Sequence, residues 1–347
     1  MRNRRVRGSA IADVIKVWVW ALGSLVVGLW LTPVAFNGGK ALSELSASKD
    51  FNGVVNKLAA WSGAARLEDF FMICWPLVAL FLLLPLVEWL KLGNGRGEKS
   101  AWRIRLPHWA ATSGENGQAI MPDRWGPMNG LAGFLLTFGC FVVIGVALVK
   151  AGSFTWTESR KGWQEGVWLE VGWALMVAFV IEIFFRRVVL GIFLRAMDVT
   201  FAVGSAALMF AGIHLILSGF SNAAKVDGET LSAFHLTGIL FTSGDFLQRV
   251  VVVFLPWFAF GCVLGWARWR TASLWLPTGL LTGWLLADRL FSKATDAVPI
   301  HDKVAEYFAA DSVHTGLIPL LGVIAVAGFV HVFTQGQALK RNSSDCD

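Results

Sequence analysis

The stretch VAFVIEIFFRRVVLGIF, Val177–Phe193, is apolar except for Glu182, Arg186 and Arg187. The next apolar stretch, SAALMFAGIHLILSG, Ser205–Gly219, carries His214. Apolar runs of about 20 residues have the length of membrane-crossing helices. On insertion scales an Asp, Lys or Arg at the centre of such a helix costs about 2.5–3.5 kcal/mol. Ionisable groups at that depth face a bundle interior and mark functional sites. These two stretches therefore predict a helical membrane bundle with its chemistry at Glu182, Arg186 and His214.

The composition agrees. The 347 residues are 55% hydrophobic, with a mean hydropathy of +0.59 and 16% charged residues, against about 25% charged in soluble domains. Eight spans are expected, near 17–36, 70–90, 130–149, 168–195, 199–219, 250–267, 272–287 and 315–333. The fold class read here is all-α, a polytopic transmembrane bundle. It divides into residues 1–164 with three spans, 165–290 with four, and 291–347 with the last span and tail. The 18 Trp, against one Tyr, belong in interfacial belts.

The net charge of +6 reflects Lys/Arg placed against anionic lipid. The expected partner is thus a lipid bilayer and not nucleic acid. The basic N-terminus leads into a run longer than a signal-peptide core, read as a retained first helix. With that terminus in the cytoplasm, 18 of the 30 Lys/Arg fall in cytoplasmic segments, which favours both termini inside. Residues 91–129 then form a cytoplasmic loop, and 37–69, 220–249 and 288–314 form outer loops. Within the first of these, LAAWSGAARLEDF reads as a short interfacial helix. Cys74, Cys140, Cys262 and Cys346 show neither CxxC nor Cys/His spacing, so no disulfide framework or zinc knuckle is indicated.

Glu182 precedes Asp198 by 16 residues and His214 follows it by 16. If the fourth and fifth spans form a hairpin turning near Asp198, both residues lie roughly 24 Å from the turn, at 1.5 Å per residue. Arg186 shares the face of Glu182, and Phe210 that of His214, each at i,i+4. A carboxylate and an imidazole at one depth can activate water and stabilise an oxyanion. The same residues also fit a self-neutralising structural pair and a histidine bonding helix to helix. A metal needs more ligands than these two candidates supply; His331 is a weak third. No cofactor or metal is expected.

The pattern resembles the CPBP family (CAAX proteases and bacteriocin-processing enzymes, also called Abi) of intramembrane endopeptidases. Ile181-Glu182-Ile183-Phe184-Phe185-Arg186 matches its E-E-x-x-F-R motif, and Phe210 with His214 matches F-x-x-x-H. The stretch Gly265–Trp284, GWARWRTASLWLPTGLLTGW, runs in register with a third family stretch. The resemblance covers about 165–290. It implies peptide-bond hydrolysis by a glutamate-activated water, a peptide or protein-tail substrate, and a catalytic set of Glu182, Arg186 and His214.

Three departures stand out. The family's first glutamate is Ile181, its later histidine falls on Leu281, and the following Asn on Leu285. Neither Ile nor Leu can transfer a proton, and losing a general base removes about 10²–10⁴ in rate. A non-catalytic scaffold or peptide-binding homologue is therefore the alternative. A transporter would call for inverted repeats or paired broken helices, and neither is seen. Glu170 lies well away from Glu182 in depth, and Asp245 and Asp288 sit near span ends, so none is an obvious replacement for the lost groups. A bacterial plasma membrane is the expected location.

Overall fold

The computed structural model describes residues 2–49, 51–89, 126–157, 166–223, 238, 246–271, 273–298 and 312–344. Its elements are α1 (Arg2–Ser48), α2 (Gly53–Ala64), α3 (Leu67–Trp89), α4 (Gly126–Lys150), β1 (Phe154–Trp156) and α5 (Val167–Glu182). A π-helical turn, π1 (Ile183–Val189), joins α5 to α6 (Leu190–Ala196), and α7 (Val199–Ala223) follows. Then come α8 (Phe246–Arg249), a second π-turn π2 (Val250–Phe254), α9 (Leu255–Thr271), α10 (Trp275–Ala294), β2 (Thr295–Ala297) and α11 (Leu317–Ser344).

The chain is an all-α polytopic membrane bundle, with one small antiparallel ribbon pairing Phe154–Trp156 with Thr295–Ala297. All eight expected spans are occupied by helix. Six helices are long and apolar enough to cross a membrane among the described residues. The segments at 167–196 and 275–294 fall short by that measure. The first is broken by π1 and carries five charges, Glu170, Glu182, Arg186, Arg187 and Arg195; the second carries Asp288, Arg289 and Lys293.

Two units are described separately. The first comprises residues 1–104 and 213–249, the second 105–212 and 250–347, so the division falls within α7, after Gly212.

In the first unit, α1 packs on α2 and α3. Its apolar seam is Leu29, Leu67 and Phe71, flanked by Leu25, Phe36, Trp75, Ile216 and Leu217. Two indoles tie the helices: Trp20 Nε1 donates to Ala79 O at 3.2 Å and Trp75 Nε1 to Ser24 Oγ at 3.3 Å. The expected single helix over LAAWSGAARLEDF is two helices. Asn52 Oδ1 accepts the Val55 N–H to start α2, as an N-cap should. Lys40 Nζ donates to Gly63 O at 2.7 Å and Ala65 O at 3.3 Å, holding the end of α2 against α1. Asp69 then accepts the Arg66 N–H at 2.8 Å, and LEDF opens α3.

In the second unit, α10 packs on α4 and α5, and α9 packs on α10 and α11. Contact between α10 and α4 is backbone to backbone. A Cβ on Gly279 would collide with the carbonyl of Gly130, and one on Gly283 would lie 2.6 Å from Phe134 O. Small residues permit such approach in membrane bundles, where packing rather than hydrophobicity drives association. Gly279→Ala should therefore cost about 3 kcal/mol, the upper range for overpacking, because backbone cannot yield as a side chain does. Thermal unfolding in detergent checks this; a Tm equal to wild type would show that the two helices are looser than described.

The outer loop expected at 288–314 begins later than predicted, because α10 continues to Ala294. Its charges find partners: Lys293 Nζ meets Glu170 Oε1 at 2.6 Å, and the Arg289 guanidinium lies 3.9 Å from the Trp173 ring centre. The loops expected at 91–129 and 220–249 fall largely outside the described residues, as do residues 299–311 of the third. Tryptophan divides between two settings. Trp61, Trp89, Trp168 and Trp275 are exposed near helix ends and Trp156 on β1, whereas Trp257 and Trp284 are buried.

Candidate functional site: a buried carboxylate–guanidinium pair in a π-turn

Glu182 ends α5, and Arg186 lies in π1. Both side chains are fully buried. Arg186 Nε lies 3.6 Å from Glu182 Oε2, an ion pair without a hydrogen bond. Arg186 Nη2 donates to Gly261 O on α9 at 3.3 Å. Single π-turns inside α-helices recur at functional sites. Here the wide turn lies between the carboxylate and the continuing helix, and it holds Arg186 over the neighbouring elements.

Phe210 on α7 supplies the other wall. The Arg186 guanidinium sits 5.1 Å from its ring centre and 6.0 Å from that of Phe185, within cation–π range. Phe185 and Phe210 meet edge to face at 5.4 Å. The phenylalanine of one motif thus packs on the arginine of the other. This contact depends on α9 lying close to α7. A Cβ on Gly261 would sit 3.0 Å from Ala207 Cβ, and one on Gly265 3.0 Å from Val203 Cγ1. These two glycines, four apart, are the small-residue spacing that lets membrane helices approach.

Further charge surrounds the pair. Arg268 on α9 is buried, and with Arg186 it attracts the Glu182 carboxylate. Arg187, which follows Arg186 in π1, repels Arg268. Cys262, half-buried on α9, lies within the field of Arg186. Neither oxygen of Glu182 makes a hydrogen bond among the described residues. A buried carboxylate of this kind, held by fixed cations, is equipped to accept a hydrogen bond or a proton from a polar guest.

His214 is half-buried on α7, one turn beyond Phe210, and belongs to the first unit, whereas Glu182 and Arg186 belong to the second. Ile181 and Leu285 are half-buried and Leu281 fully buried, so the three positions that depart from the family pattern are apolar packing positions. His331, the weak metal candidate, is exposed on α11 and bonds Gln335 at 2.7 Å. Among the described residues no group of three His, Cys, Asp or Glu could hold a metal.

Residues 163–286 match the family model described as type II CAAX prenyl endopeptidase Rce1-like. This segment is Rce1-like. The match agrees in kind and extent with the CPBP resemblance, and the Rce1-like segment carries Glu182, Arg186, Phe210, Gly261 and His214 together. No curated protein and no solved structure gives a match.

One polar pair escaped the sequence reading. Asp288 Oδ1 lies 3.0 Å from the Nδ1 of His314, which is buried in the turn before α11. No spacing rule links a residue on one helix to a loop residue preceding another, so only the fold could reveal this pair. Burial holds His314 below its ordinary range, against the opposing pull of Asp288. The ordinary imidazole value is about 6.5. A depressed folded value means that the unfolded chain binds more protons below that pH. The histidine's contribution to stability is therefore complete above about pH 6.5 and declines as pH falls toward the folded value. Thermal stability in detergent should drop between about pH 7.5 and pH 5.5, and drop less in His314→Gln. Identical slopes in the two proteins would refute this.

Proposed function

We propose that the protein is a membrane-embedded endopeptidase of the CAAX-protease type, acting on the tail of a lipid-modified or membrane-bound peptide. The observation that carries this reading is the buried Glu182–Arg186 pair in its π-turn, roofed by Phe210, inside the Rce1-like segment. Glu182 accepts a proton from, or orients, the attacking water. Arg186 holds the carboxylate and neutralises charge that develops beside it. His214 donates to the oxyanion. A bilayer-embedded site suits a substrate that is itself anchored in lipid. The location fitting this reading is a bacterial plasma membrane, with both termini cytoplasmic.

A second reading is favoured by one observation. Leu281 is fully buried, and Ile181 stands where the family carries its first carboxylate. On that reading the chain is a non-catalytic scaffold or peptide-binding homologue. The two are separated by turnover of a farnesylated CAAX peptide by the full chain in liposomes. Cleavage that depends on Glu182 supports the endopeptidase, and binding of that peptide without cleavage supports the homologue.

A further inference from the structure

The second unit holds another buried polar centre, around His314. The ring of His314 lies nearly parallel to Trp284 of α10 at 5.0 Å between centres. Trp257 of α9 stands at 5.6 Å and Phe141 of α4 at 6.2 Å. Three helices thus supply aromatic walls to one imidazole. The backbone is held as well. Gly316, at a φ of 108° that only glycine adopts readily, donates its N–H to Val252 O in π2 at 2.7 Å. The His314 N–H donates to Ser312 Oγ at 3.3 Å, and the Ser312 N–H to Thr315 Oγ1 at 3.0 Å.

The chemistry follows from which nitrogen faces the carboxylate. Nδ1 lies 3.0 Å from Asp288 Oδ1 in a charge contact without a hydrogen bond. The carboxylate's field favours the tautomer with its proton on Nδ1, which leaves Nε2 with a lone pair. That Nε2 is buried and makes no hydrogen bond among the described residues; nor does Nε1 of the stacked Trp284. Buried polar atoms are nearly always paired. One orphan is an acceptor and the other a donor. A group that both donates and accepts, such as water, a hydroxyl or a peptide amide, satisfies this combination.

Position adds a second argument. Leu281, Leu285 and Asp288 recur at i, i+4 and i+7 and so share one face of α10. The first two are the positions where the CPBP pattern carries polar residues. A carboxylate therefore stands on the same face, one turn farther along, and a histidine reaches it from the turn before α11. Aromatic contacts also join the two centres: Arg186 lies over Phe210, Phe210 meets Trp257 at 5.5 Å, and Trp257 meets His314.

We propose that Asp288 and His314 form a hydrogen-bond-accepting dyad whose Nε2 binds water or the N–H or O–H of a substrate. Its place in hydrolysis rests on the endopeptidase reading. There Nε2 accepts a hydrogen bond from the attacking water and orients it, Glu182 takes the water's proton, and the water oxygen bonds to the scissile carbonyl carbon. The C–N bond then breaks, and the proton passes from Glu182 to the leaving nitrogen. Asp288 is a positioning residue that favours the tautomer with its lone pair on Nε2.

The test uses the full chain in lipid nanodiscs with a farnesylated CAAX peptide as probe. Nitrogen-15 NMR of labelled histidine should show His314 protonated at Nδ1, and Asp288→Asn should disturb that tautomer. His314→Gln should lower kcat by about 10²-fold or more with little change in KM. Asp288→Asn should lower kcat and shift the acidic limb of its pH profile. An Nε2-protonated ring in the wild type would overturn the dyad whatever the cleavage result. A wild type that cleaves, beside a His314→Gln variant with the same kcat and pH profile, would overturn the dyad and leave the Glu182 reading intact. A wild type that does not cleave would overturn the dyad's role in hydrolysis together with the endopeptidase reading.

Discussion

Glu182→Gln should reduce cleavage of a farnesylated CAAX peptide by about 10²–10⁴-fold, the usual worth of a general base. The substitution keeps the shape of the side chain and removes its capacity to take a proton. Because the carboxylate is fully buried and carries no hydrogen bond among the described residues, no neighbour is placed to inherit its role directly. The loss should fall on kcat. A change confined to KM would mean that Glu182 only helps to bind the peptide. His214→Ala should also abolish cleavage, through loss of the oxyanion donor. Rates are taken per folded molecule, with folding verified by gel filtration, because Gln also removes the partner of Arg186. A folded Glu182→Gln protein that cleaves at the wild-type rate would end the endopeptidase reading.

Arg186→Met should destabilise the protein by about 3–5 kcal/mol, the cost of leaving one member of a buried pair alone. Met approximates the length of the arginine stem, so cavity formation contributes little. The substitution also removes the donor to Gly261 O and the cation above Phe210. The double variant Glu182→Leu/Arg186→Met should recover most of the loss, because two apolar groups replace two desolvated charges. Unfolding in detergent measures both. Equal destabilisation by the single and double variants would show that Arg186 acts through Gly261 and Phe210 rather than through Glu182.

Much of this was legible in the chain. Helical hydrophobic runs are local, and the bilayer imposes helix on any lipid-exposed span because unpaired backbone groups cannot be left in hydrocarbon. The eight helical segments follow from that alone. The i,i+4 spacing of Glu182 and Arg186 brings them together within one element, and Phe210 shares a motif with His214. The boundaries were less legible. LAAWSGAARLEDF divides into two helices because Lys40, 23 residues before Gly63, takes the carbonyls at the end of α2. α10 outlasts its apolar run because Lys293 and Arg289 find Glu170 and Trp173 on α5.

The sequence by itself determined a helical membrane protein, the Glu182–Arg186 pair and the family pattern, because each rests on composition or on contacts within a helical turn. Tertiary structure decided what those residues face. It set Phe210 over Arg186, placed the Gly261 carbonyl as an acceptor, and made Leu281 a buried packing position. It also joined Asp288 to His314. These contacts link separate helices, and their formation depends on backbone approach at Gly261, Gly265, Gly279 and Gly283. Such approach is a property of packed helices and cannot be read from any one of them.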